Sequence, residues 1–401
     1  MKKITQEWLK KILDKGKDDT IERKVSSIIE EVRKKGDKAL IQLTERFDGV
    51  KDVEIKVPEA EIVKARRGID RKLLQVIEVV RKRIEKYHRK QMPERWTVRE
   101  KGLSISFEFS PVETVGIYIP AAQSPLVSTV LMAVVPAYVA GVKEVFVASP
   151  PSFKGSVHPV ITGVLGYLGV ENIFAIGGAQ AIAAFAYGTE TVPRVDVIAG
   201  PGNKYVNTAK ILVSGHVGID TPAGPSELVI FSDGSGRPEF IAADMNAQIE
   251  HRNGLGILIT TSEKLGGIVS KKVKGGYWLY VKTKEEAVRA INEITPEHLQ
   301  LMCKSPERMI KKVIAGAVFI GDYSPATLGD YFAGPSHILP TGKTARFSSG
   351  LSVYTFLRSY SVISGSQHFY KKYGQLMEIL PEIEGLAFHK ASLNIRRKGK
   401  G

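Results

Sequence analysis

The feature that most limits the fold is an alternation that begins near Pro111. From there, short apolar runs rich in β-branched residues alternate with Ala-rich runs of helical length. Strand candidates lie at 115–119, 144–148, 172–176, 195–198 and 228–231, with helix candidates at 124–140, 159–168, 179–186 and 204–213 between them. A second series places strands at 255–260, 277–281 and 317–320 and helices at 238–250, 263–272 and 284–294. Strand, helix, strand at this spacing implies parallel pairing with helices on both faces of the sheet. The chain therefore predicts an α/β fold of two doubly wound units. Any ligand crevice is expected at the carboxyl ends of the strands.

The first 110 residues have a different texture. Residues 21–47 and 60–87 carry apolar positions three and four apart, the period of an amphipathic helix. Residues 53–57 alternate and predict an edge strand between them. From Ser352 onward the alternation of strand and helix stops, and the end predicts helices with a final amphipathic piece around 381–394.

Composition narrows the partners. Lys and Arg number 57 against 42 Asp and Glu, a formal charge of +15. A nucleic-acid partner is one reading, since neutralising its phosphates requires Lys and Arg, but here the basic residues are spread and often stand beside Glu, as in Glu30-Glu31-Val32-Arg33-Lys34-Lys35. A Lys-rich surface, tied to an anionic cofactor or to a thermophilic origin, explains this better than a nucleic-acid partner. The single cysteine, Cys303, excludes an internal disulfide and favours a reducing compartment. No run approaches the ~18 apolar residues of a membrane span. The start, Met1 to Lys17, lacks the apolar core of a signal peptide. A soluble, cytoplasmic protein is expected.

Several loops carry residues suited to chemistry. Gly177-Gly178-Ala179-Gln180 and Gly200-Pro201-Gly202-Asn203 each follow a strand candidate and open a helix. Glycines there let backbone amides approach a phosphate, although a strict G-x-G-x-x-G is absent. Gln248 and His251 lie three residues apart, on one face if helical. Of the eight histidines, His88, His158, His216 and His368 occupy bystander positions, while His251, His298, His337 and His389 sit in polar clusters. With Asp330 the latter could form an N/O site for Zn²⁺ or a similar ion, though the candidates lie far apart in sequence. Glu297-His298 is a candidate general acid/base pair. Cys303 follows an apolar run and is better read as an inert thiol than as a nucleophile.

Longer motifs are more specific. Val115-Gly116-Ile117-Tyr118-Ile119-Pro120 is followed by Ser128-Thr129-Val130-Leu131-Met132, the Gly177 run to Ala184, and Gly200-Pro201-Gly202-Asn203 with Tyr205-Val206. Ala223-Gly224-Pro225-Ser226-Glu227, the Gln248–His251 segment, Pro296-Glu297-His298-Leu299 and Gly329-Asp330-Tyr331 come next. His337-Ile338-Leu339-Pro340-Thr341, the run Ala345 to Val353, and Glu384-Gly385-Leu386 with His389 complete the series. In content and order these motifs resemble the histidinol dehydrogenase family from about residue 20 to the C-terminus. Departures include Ala121-Ala122 where the family carries Gly-Gly, Ala247 before Gln248, and Arg252-Asn253-Gly254 after His251.

The resemblance implies two related, incomplete Rossmann-type units of aldehyde-dehydrogenase-like architecture, with a helical N-terminus and a C-terminal helical arm. The implied segments are 1–23, 24–112 with 232–352, a dinucleotide-binding domain at 113–231, and an arm at 353–401 exchanged in a homodimer. It implies oxidation of L-histidinol to L-histidine, the end of histidine biosynthesis, with two NAD⁺ and one Zn²⁺ per subunit. The implied zinc ligands are Gln248, His251, Asp330 and a His389 acting in trans; the catalytic pair is Glu297 and His298. Substrate contacts map onto Ser226, Gln248, His251, His298, Asp330, Glu384 and His389, and NAD contacts onto Tyr118, Gln180 and Asn203. The alternative is a related NAD-dependent dehydrogenase of another small alcohol. Neither nucleic acid nor membrane is implied as a partner.

Overall fold

A computed structural model describes residues 1–13, 19–121, 124–222, 224, 226–251 and 254–399. The chain divides into two compact units. One holds Met1–Gln91 and Val112–Phe356, the other Met92–Pro111 and the residues from Leu357 on.

Among the described residues, the larger unit contains two wholly parallel sheets. The first is built from β4 (Thr114–Tyr118), β5 (Glu144–Ala148), β6 (Asn172–Phe174), β7 (Val197–Ala199) and β8 (Gly218–Ile219), in the order β6-β5-β4-β7-β8. The second joins β1 (Lys2–Ile4), β9 (Glu227–Ser232), β10 (Leu255–Thr260), β11 (Tyr277–Tyr280), β12 (His298–Leu301) and β13 (Ala317–Ile320), in the order β1-β11-β10-β9-β12-β13. Both sheets reverse their strand order once. β5 and β7 flank β4, and β10 and β12 flank β9. The crossover helices match the sequence pattern at Lys204–Val213, Pro238–Glu250, Glu263–Lys272 and Lys284–Ile294.

Both faces of the second sheet are buried, which is why its strands read as continuous apolar runs. Val229 and Phe231 pack with Leu299, Leu301, Ile291 and Ile294 on one face. Leu228 and Ile230 pack with Ile241, Met245 and Trp278 on the other.

Three local expectations change. Residues 228–231, expected to close the first series, lie in β9 at the centre of the second sheet. An apolar run shows that a strand is buried but not which sheet buries it. Residues 53–57 form no strand. Lys56 makes one isolated bridge to Phe174, and Val57 N–H donates to the Ile173 carbonyl at the open edge beside β6. The helical stretches 21–47 and 60–87 each break in two, the first at Gly36, whose φ of +55° is one that residues other than glycine rarely adopt.

The smaller unit departs furthest from expectation. It contains an antiparallel sheet of β2 (Trp96–Glu100), β3 (Leu103–Pro111) and β14 (Leu357–Gly365), with β3 in the middle. β3 and β14 pair without interruption from Leu103↔Gly365 to Pro111↔Leu357. Two helices follow, Gln367–Ile383 and Ala387–Lys398. They are tied by Glu378, which accepts from Arg397 Nε at 2.9 Å and Asn394 Nδ2 at 3.0 Å. No helix among the described residues is long and apolar enough to cross a membrane.

Candidate active site

His298 and Glu297 sit where β12 begins. The pleat places His298 and Gln300 on one face and Leu299 and Leu301 on the other. Backbone pairing to Leu228 in β9 and Ala317 in β13 fixes His298 from both sides. His298 Nε2 lies 3.2 Å from Asp330 Oδ1, and its Nδ1 lies 3.5 Å from Glu297 Oε2. Asp330 comes from the short helix Ala326–Tyr331. Burial alone opposes a charge on this ring. The carboxylates of Asp330 and Glu297 outweigh it and raise the imidazole pKa to about 10.

The line of contacts continues in both directions. Glu297 Oε2 accepts the Glu227 N–H at 3.0 Å, at the start of β9. Ser226, one residue earlier, contacts Gln248 Oε1 through its hydroxyl at 3.4 Å. On the other side, His337 Nδ1 lies 3.0 Å from the Asp330 carbonyl oxygen and its Nε2 lies 3.1 Å from Thr129 Oγ1. Burial pushes the His337 imidazole pKa down. Ser226, Gln248, Glu297, His298 and Asp330 therefore form one cluster. His251 is exposed three residues beyond Gln248, at the C-cap of the helix Pro238–Glu250. A helix C-terminus favours a cation.

Two buried atoms in this cluster lack a hydrogen-bond partner, Gln248 Nε2 and His298 Nδ1. Buried polar atoms are rarely left so unless a ligand satisfies them. Gln248, His251 and Asp330 offer oxygen and nitrogen donors and no thiolate, a set that suits zinc. Among the described residues no three His, Cys, Asp or Glu side chains gather as a metal site. The in-chain candidates are two such residues and a glutamine. Cys303 is half-buried, its Sγ lies 4.0 Å from Met309 Sδ, and burial pushes its thiol up to about 11. This supports the inert reading.

The position of the cluster corrects one expectation. The catalytic candidates lie at the amino ends of β9 and β12, not at the carboxyl ends. In sequence only residues 220–226 separate the end of β8 from the start of β9.

The dinucleotide candidates do lie at carboxyl ends. Tyr118 ends β4, and Gly200 follows β7, its neighbour across the switch point. Tyr118 Oη accepts the Gly178 N–H at 3.1 Å, and burial pushes the phenol up to about 12. Gln180 is buried near the start of the helix Gly178–Tyr187. Asn203 is exposed and caps the helix Lys204–Val213, its Oδ1 accepting from the N–H groups of Tyr205 and Val206. Glu384 and His389 belong to the smaller unit and are exposed there. Ala122, Ala223, Pro225, Arg252 and Asn253, named above, lie outside the described residues.

A family model described as histidinol dehydrogenase matches residues 13–397. The chain belongs to the histidinol dehydrogenase family. The histidinol dehydrogenase of Geobacillus kaustophilus is 41% identical, over 97% of this chain and 96% of the relative. That of Methanocaldococcus jannaschii is 38% identical, over 99% and 98%. The crystal structure of histidinol dehydrogenase from Elizabethkingia anophelis superposes with a TM-score of 0.92 at 32% identity, covering 99% of this chain and 98% of that one. An acetylating aldehyde dehydrogenase from Geobacillus thermoglucosidasius shares the fold at a TM-score of 0.51 and 13% identity, over 89% and 94%. The two-sheet α/β architecture is therefore that of a histidinol dehydrogenase, an oxidoreductase family with aldehyde-dehydrogenase-like neighbours.

Two features of the site escaped the sequence. The Glu227 N–H that holds Glu297 is a backbone group, so no residue type marks it. His337 appeared only as a metal candidate, whereas it holds the Asp330 carbonyl and Thr129.

Proposed function

We propose that this chain oxidises L-histidinol to L-histidine through the aldehyde, using two NAD⁺ in turn, at a site completed by zinc. The ligands are Gln248, His251, Asp330 and the partner subunit's His389. The observation that carries the reading is the line of contacts from Gln248 and Ser226 through the Glu227 N–H to Glu297, His298 and Asp330, in which Gln248, Glu297 and His298 are buried and Gln248 Nε2 and His298 Nδ1 lack a hydrogen-bond partner. Tyr118, Gln180 and Asn203 contact NAD⁺, and Ser226 and Glu384 contact the substrate.

When bound, zinc supplies a charged template for the substrate's nitrogens and NAD⁺ the hydride acceptor. Hydride leaves carbon only as the hydroxyl loses its proton, and His298 accepts that proton. In the free chain Asp330 and Glu297 hold this imidazole protonated well above neutrality. Asp330 would be one of the residues that hold zinc, and a carboxylate so engaged would support the imidazolium of His298 less, leaving the ring closer to the neutral form a base requires. Glu297 then activates the water that converts the aldehyde to its hydrate, the species oxidised in the second step. A positioned base contributes ~10²–10⁴-fold. Cys303, packed against Met309, takes no part.

The smaller unit presents Leu376, Leu380, Ile383 and Phe388 to solvent, with Phe388 90% exposed. A second copy of this chain covers them in the proposed homodimer, since patches of this kind mark association surfaces.

NADH formation from L-histidinol, with and without a chelator and after zinc is restored, tests the reading. Turnover that is lost on chelation and recovered with zinc supports it. No NADH from histidinol, with turnover of another small alcohol, overturns it. Within an active enzyme, Glu297→Gln is expected to slow histidinal oxidation by more than histidinol oxidation.

A further inference from the structure

Beneath the loop Gly200-Pro201-Gly202-Asn203 lies an ion pair sealed from solvent. Lys210 and Asp220 contact one another, with both side chains 1% exposed. Lys210 Nζ also donates to the carbonyls of Gly200 at 3.0 Å and Thr221 at 3.3 Å. Asp220 Oδ2 accepts the Gly200 N–H at 2.8 Å. Both backbone polar groups of Gly200 are thus held by this one pair.

Gly200 has little freedom to begin with. Its φ is +120°, and a Cβ there would drive into the Tyr118 carbonyl. The pair therefore fixes the point where β7 passes over Tyr118 and turns toward Asn203. Its second hold, on Thr221, lies at the start of the segment that leads to Ser226. Asp220 itself is fixed by its N–H, which donates to the Ile198 carbonyl in β7 at 3.1 Å.

Stability alone is a poor reason to bury such a pair. Desolvating two charges costs several kcal/mol, and replacing the pair with packed apolar side chains is often neutral or stabilising. The hydrogen bonds here converge instead on one glycine of the loop and one carbonyl of the connecting segment. We propose that Lys210 and Asp220 are positioning residues that hold the dinucleotide loop at Gly200 and tie it to the segment carrying Ser226. The proposal rests on the reading of this loop as an NAD contact.

The test is NADH binding by fluorescence titration, together with steady-state KM values, in the parent, K210M/D220L and D220N. The double variant removes both charges and leaves the Gly200 N–H and the Gly200 and Thr221 carbonyls without their side-chain partners, so it is expected to fold but to melt lower than the parent. Its Kd for NADH and KM for NAD⁺ are expected to rise about tenfold or more, the scale of one charged hydrogen bond. Its zinc content is expected to stay near the parent's, and its KM for histidinol is expected to rise by less than its KM for NAD⁺, since only the Thr221 hold lies on the Ser226 side. D220N, which keeps the shape, is expected to move the same constants by less, and it carries the test if the double variant does not fold. A folded variant that binds NADH as tightly as the parent overturns the positioning role, as does a lowered melting temperature with unchanged binding. A parent that binds no NADH overturns the dinucleotide reading instead, and the proposal with it.

Discussion

Between two carboxylates, His298 makes stability depend on pH. Burial opposes its charge, but Asp330 and Glu297 lift its pKa from the ordinary 6.5 to about 10. A group whose pKa is higher in the folded chain binds its proton more tightly there. Its contribution is fully present below about 6.5 and is lost as pH rises through about 10. Urea titrations of the zinc-free chain are therefore expected to show a midpoint that falls between those pH values. Asp330→Asn is expected to flatten that fall. An equally steep fall in the variant would mean that Asp330 does not hold the proton on His298. At this scale the sequence was informative, since Glu297, His298, Gln248 and Asp330 all carry donor atoms suited to the site. It did not show that the site's support comes from main-chain groups, the Glu227 N–H and the Asp330 carbonyl. Lys210 did leave a trace. It stands on the same helical stripe as Val206, Ala209 and Val213, where a lysine has no solvent to reach.

The elements differ in how openly they show themselves. β5 and β10 coincide with their apolar runs to the residue, because both faces of a parallel sheet demand hydrophobic side chains. β2 and β3 went unread inside a charged, helical neighbourhood. Yet Leu103, Ile105, Phe107 and Phe109 alternate with polar residues around a Lys101-Gly102 turn. Their partner β14 is more than two hundred residues away, and no local pattern announces that pairing. The same limit hid the placement of β9. The order of strands predicts unequal sensitivity. Leu299, buried in interior β12, is expected to lose about 2–5 kcal/mol on mutation to Ala. Ile320, 43% exposed on edge strand β13, is expected to lose well under half as much. Equal losses in urea unfolding would contradict the sheet order.

At the scale of the whole molecule, the proposal takes residues from both units of the chain. Gln248, His251 and Asp330 stand in the larger one, Glu384 and His389 in the smaller, and the smaller carries the exposed apolar helix faces. The proposed exchange of that unit between copies predicts a result that no single-chain site allows. His251→Ala and His389→Ala proteins are each expected to lose zinc affinity and activity. When they are unfolded together and refolded, half of the dimers formed at random carry one of each. Such a dimer has one site with both lesions and one with none. Activity is then expected to recover to about a quarter of the parent's, the statistical value for a two-fold assembly with sites completed across the interface. A site completed within each chain gives no recovery at any mixing ratio, because every site then keeps its own lesion. The recovered activity should co-elute with the dimer and fall as the mixture departs from equal parts, since fewer mixed dimers form.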